Sequence, residues 1–539
     1  MSGRATAEPG DQEATRLLCA GVYADYQFRR RVIEELVEHD ERPVAPSLGC
    51  DVLPVLAHAL RARRWEAVTG VAVLLVWTAF AVVGGLEAVP FAAAWVLLWG
   101  ARLLWNRRTP NVFDPVRAES KELPLQAIAF GALFLTGALG AIVHFLVHWA
   151  GLDRMPVWHW VLFPLLLAVP VWVHRTRQVV LMRRELSREG FAAGPPLRPP
   201  GSGRYRRIGE AITREQFSPL APYPPVRPLI GFGMPYDAWS FALELRPVAD
   251  VAAGGGRLTN RDVLDLIRPQ VASLRLSGQG TARDRLRQLK VDECVCRPVD
   301  GPRRELPYAT DRLRESLREA VDGDGEQSRH FLRVRITAWG GQLVVTVLVR
   351  VHTQGGMLVL EVSPHVLPPV RDDFAVAADV ASEHDRLMLR NTLRALFASP
   401  AASTAAVVSL LRTAVAVSRT WLRHSPSSRP GGPQLAVREL GAAAEQVTFF
   451  QEMDISRYVK TVQDRVKNGV LEALRAKGYD TQEFEQQTVN IGRGAIYVGR
   501  MSGGVAATGE RTEIHYTSGD GNRHGTHSGE RRTAPPQPR

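Results

Sequence analysis

The chain has 539 residues, a formal net charge of +12 and a 45% hydrophobic content, enough material for two or three folding units. The positive excess does not argue for nucleic acid, because much of it sits in juxtamembrane positions and no recognition motif accompanies it. Four cysteines at unrelated spacings match neither a zinc site nor a redox pair.

The first 60 residues are too charged for a secretory signal, with Arg29-Arg30-Arg31 and Glu34-Glu35. Apolar spacing from Glu13 to His39 predicts an amphipathic helix. A second helix from about Asp51 is expected to run into the first of four uncharged apolar runs: Ala67 to Leu86, Ala88 to Ala101, Leu123 to Leu152 and Met155 to Val173. Each is near the roughly 20 residues that cross a bilayer. The expected fold class is therefore an integral membrane α-helical protein with four transmembrane helices plus a cytoplasmic α+β domain containing an antiparallel meander.

Arg61, Arg63 and Arg64 precede the first run, Arg107, Arg108, Arg117 and Lys121 follow the second, and Arg175, Arg177, Arg183 and Arg184 follow the fourth. Cations retained inside predict a multi-pass protein of the cell membrane with both termini cytoplasmic. The four arginines from Arg175 to Arg184 are the predicted contacts with anionic inner-leaflet lipid. At the outer face His144, His148 and His159 could gather as Zn, Cu or Fe ligands. Trp149, Trp158 and Trp160 at the same depth instead mark an interfacial aromatic belt, and favour inter-helix hydrogen bonding by these histidines over metal. No metal and no cofactor is expected.

Beyond a Pro/Gly linker at Gly194 to Gly203, Trp239 to Leu245 alternates like a strand. Thr259-Asn260-Arg261-Asp262 reads as a capping box opening a helix through Leu274. Strands are expected from Leu289 to Cys296, Phe331 to Ala338, Gln342 to His352 and Met357 to Val362, the last three as the meander, with the middle one central because both its faces are apolar. Ala401 to Ser418 contains Arg412 and is expected as a buried or membrane-surface helix. A helix is predicted from about Ile455 to Ala476, stopped by Gly478.

The resulting division is 1–64 cytoplasmic helices, 65–174 membrane block, 175–207 basic linker, 208–399 α+β domain, 400–487 helical region, 488–516 β-prone tail and 517–539 disordered end. Gly231-Phe232-Gly233 and Gly492-Arg493-Gly494 lack a phosphate-binding context and read as turns. Asp372-Asp373 reads as a helix start and His365, beside Pro364, as a loop residue. No constellation identifies an enzyme.

The step Val489-Asn490-Ile491-Gly492, with Ile496 and Val498 beyond it, resembles RHIM-like amyloid signalling motifs, in which an apolar-amide-apolar-Gly unit templates stacking between chains. The whole chain resembles the four-span membrane proteins of high-GC Gram-positive bacteria. The matching features are Ala45-Pro46-Ser47, Ile230-Gly231-Phe232-Gly233, Trp239-Ser240-Phe241, Trp339-Gly340-Gly341 and the segment from Phe450-Gln451 to Thr488. That resemblance brings no activity. The expected function is protein interaction, in signalling or scaffolding, through the cytoplasmic domain and by partner binding or self-association through the tail. The alternatives are a solute- or ion-conducting protein gated by that domain, and a membrane-tethered enzyme.

Overall fold

A computed structural model describes residues 9–84, 159–380 and 431–485 apart from short loop segments, together with Trp149, Leu410 and Ser418. Met1–Thr481 forms one compact unit and Gln482–Arg539 a second, of which one helical turn is described.

The amphipathic stretch near the start folds as two helices, α1 (Pro9–Ala24) and α2 (Tyr26–Ile33), not one. Asp25 breaks them by turning extended and capping α2, its carboxylate accepting from the Gln27 and Phe28 amides. A π-helical turn, Glu34–Glu38, follows. The next helix, α3 (Val52–Gly84), runs without a break from a buried base into an uncharged apolar stretch. Then come α4 (His159–Glu185), α5 (Arg188–Ala193) and α6 (Gly203–Glu215). Leu17, Leu18 and Val22 of α1, Phe28 and Val32 of α2, Val55 and Leu56 of α3, Met182 of α4 and Ile212 of α6 share one core. Two later helices join it: α9 (Asp372–Val380), through Phe374, and α10 (Val437–Leu440), through Val437.

Among the described residues a seven-stranded mixed sheet and three more helices make up most of the rest. Its strands are β1 (Leu220–Tyr223), β2 (Met234–Pro235), β3 (Trp239–Glu244), β4 (Lys290–Pro298), β5 (Arg329–Ala338), β6 (Leu343–Gln354) and β7 (Met357–Leu367). The order is β1-β4-β5-β6-β7, with β2 and β3 both on the outer side of β7. Only β1 runs parallel to its neighbour; the other pairs are antiparallel. Pro364 breaks no ladder, because β3 pairs with β7 up to Val362 and β2 begins at His365, so its missing N–H falls in the gap between them. His365 consequently lies buried inside β7, where the proline-based reading had placed a loop.

One sheet face carries Cys294, Cys296, Phe331, Val344 and Leu348 against Leu48 and Phe232. The opposite face is buried through Leu332, Val334, Ile336, Val345, Val347 and Val349. Helices α7 (Asn260–Ser277) and α11 (Phe449–Ala476) pack on each other and on β6, and α8 (Thr310–Asp322) lies over β4 and β5. Gly469 permits the close approach of α11 to α7, since a Cβ there would sit 2.5 Å from the Ile267 Cα. Asp262 closes the expected capping box with Thr259 at 3.0 Å.

The four-helix membrane class is overturned. Among the described residues only one helix, Val52–Val83, is long and apolar enough to cross a membrane. Most of the described chain is a large mixed sheet with its helices, so the soluble part is not a small appendage to a helical membrane block. Two of the expected spans, 88–101 and 123–152, lie almost wholly outside the described residues. The last, from Met155, becomes the first half of α4, a helix that carries Pro164 and Pro170 and runs on into His174-Arg175-Thr176-Arg177-Gln178.

Glu293 ties β4 to its neighbours: His330 of β5 lies 3.2 Å away, Arg261 of α7 donates at 3.1 Å, and Arg268 also reaches it. The His330 contact, then Arg261, outweighs partial burial and holds the carboxyl at about 2. A depressed folded value adds stability above the ordinary carboxylate range, and that stability is lost as pH falls toward 2. Denaturant melts across this window should therefore show a flatter acid limb for Glu293→Gln than for the parent chain.

Candidate interaction surfaces

Two surfaces stand out, one aliphatic and one aromatic. The aliphatic one belongs to α3 and α4, which run antiparallel. Arg61 meets Glu185 at 2.7 Å, the Arg177 guanidinium lies 4.2 Å from the Trp65 ring centre, Thr69 is 3.1 Å from His174, and Phe80 stacks on Phe163. The seam of Val73, Phe80, Phe163 and Leu167 is buried. Outside it Val71, Leu75, Val82 and Val83 of α3 and Leu165, Leu166 and Val169 of α4 are exposed, Leu75 by 64% and Val82 by 76%. Contiguous aliphatic exposure of this extent marks a contact surface for protein, ligand or lipid. The uncharged stretch Ala67–Gly84 rises about 27 Å, close to a hydrocarbon core of about 30 Å.

Arg175, Arg177, Arg183 and Arg184 all fall on the polar half of α4; Arg177, Arg183 and Arg184 are exposed and Arg175 is half-buried. His159 is the first residue of α4. His144, His148 and the tail residues Val489, Asn490, Ile491, Gly492, Ile496 and Val498 lie outside the described residues. Among the described residues no group of three or more histidine, cysteine or acidic side chains gathers as a metal site.

The aromatic surface lies at the head of α11. Its first turn begins at Phe449, because Thr448 and Gln451 form a reciprocal capping box. This T-x-x-Q signal was readable in the sequence, and it moves the start six residues ahead of the expected Ile455. Phe449, Phe450 and Met453 project to solvent, exposed by 71%, 69% and 54%. Trp339, at the β5–β6 connection, donates from Nε1 to Asp454 at 3.1 Å, and Tyr236 hydrogen-bonds Ser456. Exposed Met234 of β2 lies two residues before Tyr236.

Trp339 has φ +53°, followed by Gly340 at +68° and Gly341 at +90°. A left-handed tryptophan costs on the order of 1–2 kcal/mol, so its contact with α11 holds a strained residue at the surface. Such residues cluster at functional sites.

Contacts at the junction of sheet and helices are structural. Glu439 accepts from the Gly231 and Gly233 amides at 2.7 and 2.9 Å, which explains the turns read there. Arg438 is fully buried and donates to the Gln342 and Pro368 carbonyls, and burial pushes its guanidinium down to about 10. Arg303 forks onto buried Glu215 at 2.8 Å. The crevice beside them, lined by Glu35, Arg42, Ser47 and Ala436, has room for about one water molecule. Cys19, Cys50, Cys294 and Cys296 are buried free thiols.

The fold and these surfaces define a mixed-sheet domain braced on a helical cluster, with one long apolar helix leading out of it. Residues 238–508, just over half of the chain, match the AbeC-like domain, and the chain belongs to that family. The match opens at β3 and takes in strands β3 to β7, leaving out β1 and β2, along with Trp339 and the whole of α11. No curated protein and no solved structure matches the chain.

Trp339→Gly removes one hydrogen bond, about 1 kcal/mol, and relieves left-handed strain of about the same size. Thermal melts should place this variant within about 1 kcal/mol of the parent. A loss above about 3 kcal/mol would make the indole a structural support rather than a surface group.

Proposed function

We propose that this chain is a membrane-anchored protein that acts by binding other proteins, in signalling or scaffolding. The observation that carries the anchoring is the exposed aliphatic surface shared by α3 and α4, bounded at one end by Arg61, Arg63, Arg64, Arg175 and Arg177. Lipid is the solvent that such a surface fits, and the arginines sit where anionic headgroups would meet them. Because the two helices are antiparallel, the helical cluster and the sheet both join the arginine-bearing end, which the positive-inside rule assigns to the cytoplasm.

Binding of partners is supported by the aromatic surface at α11, placed on the rigid end of a sheet, and by the stacking-prone residues Val489 to Gly492, Ile496 and Val498 in the tail. The partners are anionic lipid on one side and protein, including further copies of this chain, on the other; nucleic acid is not among them.

Replacing Val71 and Leu75 together with arginine adds about 2.5–3.5 kcal/mol per residue to the insertion free energy. The parent chain should remain in the pellet after alkaline carbonate extraction of cell membranes, and the Val71→Arg, Leu75→Arg variant should be released. Release of the parent chain would refute the anchoring.

A further inference from the structure

The geometry points to a specific chemistry for the protein partner: we propose that the aromatic surface at the head of α11 binds a cationic, apolar segment of another protein. This rests on the interaction reading above and sharpens it.

The apolar part starts from Phe449 and Phe450, whose ring centres lie 5.8 Å apart, with exposed Met453 one turn on. Asp454 and Ser456, on the next turn of the same helix, bond Trp339 and Tyr236. Aromatic residues and methionine are over-represented at the centres of protein interfaces. Methionine also adapts to partners of varied shape.

The charge around it is of the opposite sign to the chain. Although the protein carries +12 overall, Asp237 and Glu452 lie beside Tyr236 and Asp454 holds Trp339. The nearest cation on the helix, Arg457, is paired with Asp454 at 2.8 Å, and Lys460 follows a turn later. Among the described residues Asp237 and Glu452 enter no ion pair. An acidic rim around exposed aromatic rings attracts arginine and lysine twice over, by charge complementarity at the rim and by cation–π contact at the ring faces. The same rim repels anionic lipid, which distinguishes this surface from the arginine-rich end of α4. A basic, apolar protein segment is therefore the occupant that satisfies both the rings and the rim.

The test uses the full chain in nanodiscs of zwitterionic lipid and fluorescence anisotropy with two synthetic peptides of identical apolar content, alternating leucine with arginine in one and with glutamate in the other. The arginine peptide should bind at least about tenfold tighter at low salt, a difference of about 1.4 kcal/mol. Phe449→Ser with Phe450→Ser, both at exposed positions outside the cap, should weaken that binding about tenfold or more. Asp237→Lys with Glu452→Lys should reverse the preference between peptides.

Equal binding of both peptides, with loss in the serine variant, would overturn the cationic partner while leaving an interaction surface. Binding indifferent to the serine changes would overturn the site itself. Serine-sensitive attachment to phosphatidylserine vesicles, or serine-sensitive dimerisation without peptide binding, would replace the proposed occupant by lipid or by a second copy. None of these outcomes bears on the carbonate extraction, so anchoring and partner chemistry stand or fall separately.

Discussion

Arg29 of α2 and Glu66 of α3 form an ion pair with both side chains almost wholly buried, and the path of α3 depends on it. Arg29 also donates to the Val22 carbonyl at 2.9 Å. A buried pair of this kind adds little net stability over an apolar replacement, but breaking it leaves a charge stranded at a cost of about 3–5 kcal/mol. Its effect is positional: it fixes α2 against the helix at the point where the last charge of α3 gives way to the uncharged run from Ala67. Before that point α3 packs into the helical core through Val55, Leu56 and Leu60, and after it the helix carries the exposed Val71, Leu75, Val82 and Val83 beside the buried Val73 and Phe80.

The helical cluster thereby acts as an adapter between that helix and the sheet. Asp25 meets Arg371 at 2.8 Å, Glu35 accepts from the Gln434 amide and Glu215 from the Val44 amide, and Arg438 reaches across to the Gln342 carbonyl beside the sheet. Each contact joins residues far apart in the chain and each buries a charged group with a directional partner. Such groups specify orientation more than they stabilise, because a slipped packing would leave them unsatisfied. A Cβ at Gly21 would sit 2.4 Å from the Phe374 ring, and one at Gly441 would sit 2.2 Å from Leu18 Cδ2. That glycine pair lets α1, α9 and α10 meet closely.

Local signals in the sequence located the helix and strand elements well where short-range physics decides them. The run from Asp51 into the apolar segment, the Thr259–Asp262 box, the glycine turns at 231 and 233, and the apolar faces of β6 each follow from periodicity or capping. What failed was global arithmetic. Counting apolar runs gave four spans, and that count ignored that α4 continues as a polar helix. The size of the sheet was hidden because β1 and β2 are short and proline-containing, and neither shows alternation. Of the aromatic surface, Phe449 and Phe450 were legible as sequence, but their place in the first turn of α11 depends on a capping box passed over, and the Trp339 bond to Asp454 comes from a strand end more than a hundred residues earlier.

The central claim is that α3 is one helix in two environments, divided near Glu66. Spin labels at Ala57, Leu75 and Val82, read by continuous-wave EPR in reconstituted proteoliposomes, test it most directly. The labels at Leu75 and Val82 should be accessible to oxygen and shielded from a polar nickel chelate, and the label at Ala57 immobile and shielded from both. Ready collision of the nickel chelate with the labels at Leu75 and Val82 would place that half of α3 in water and contradict the claim.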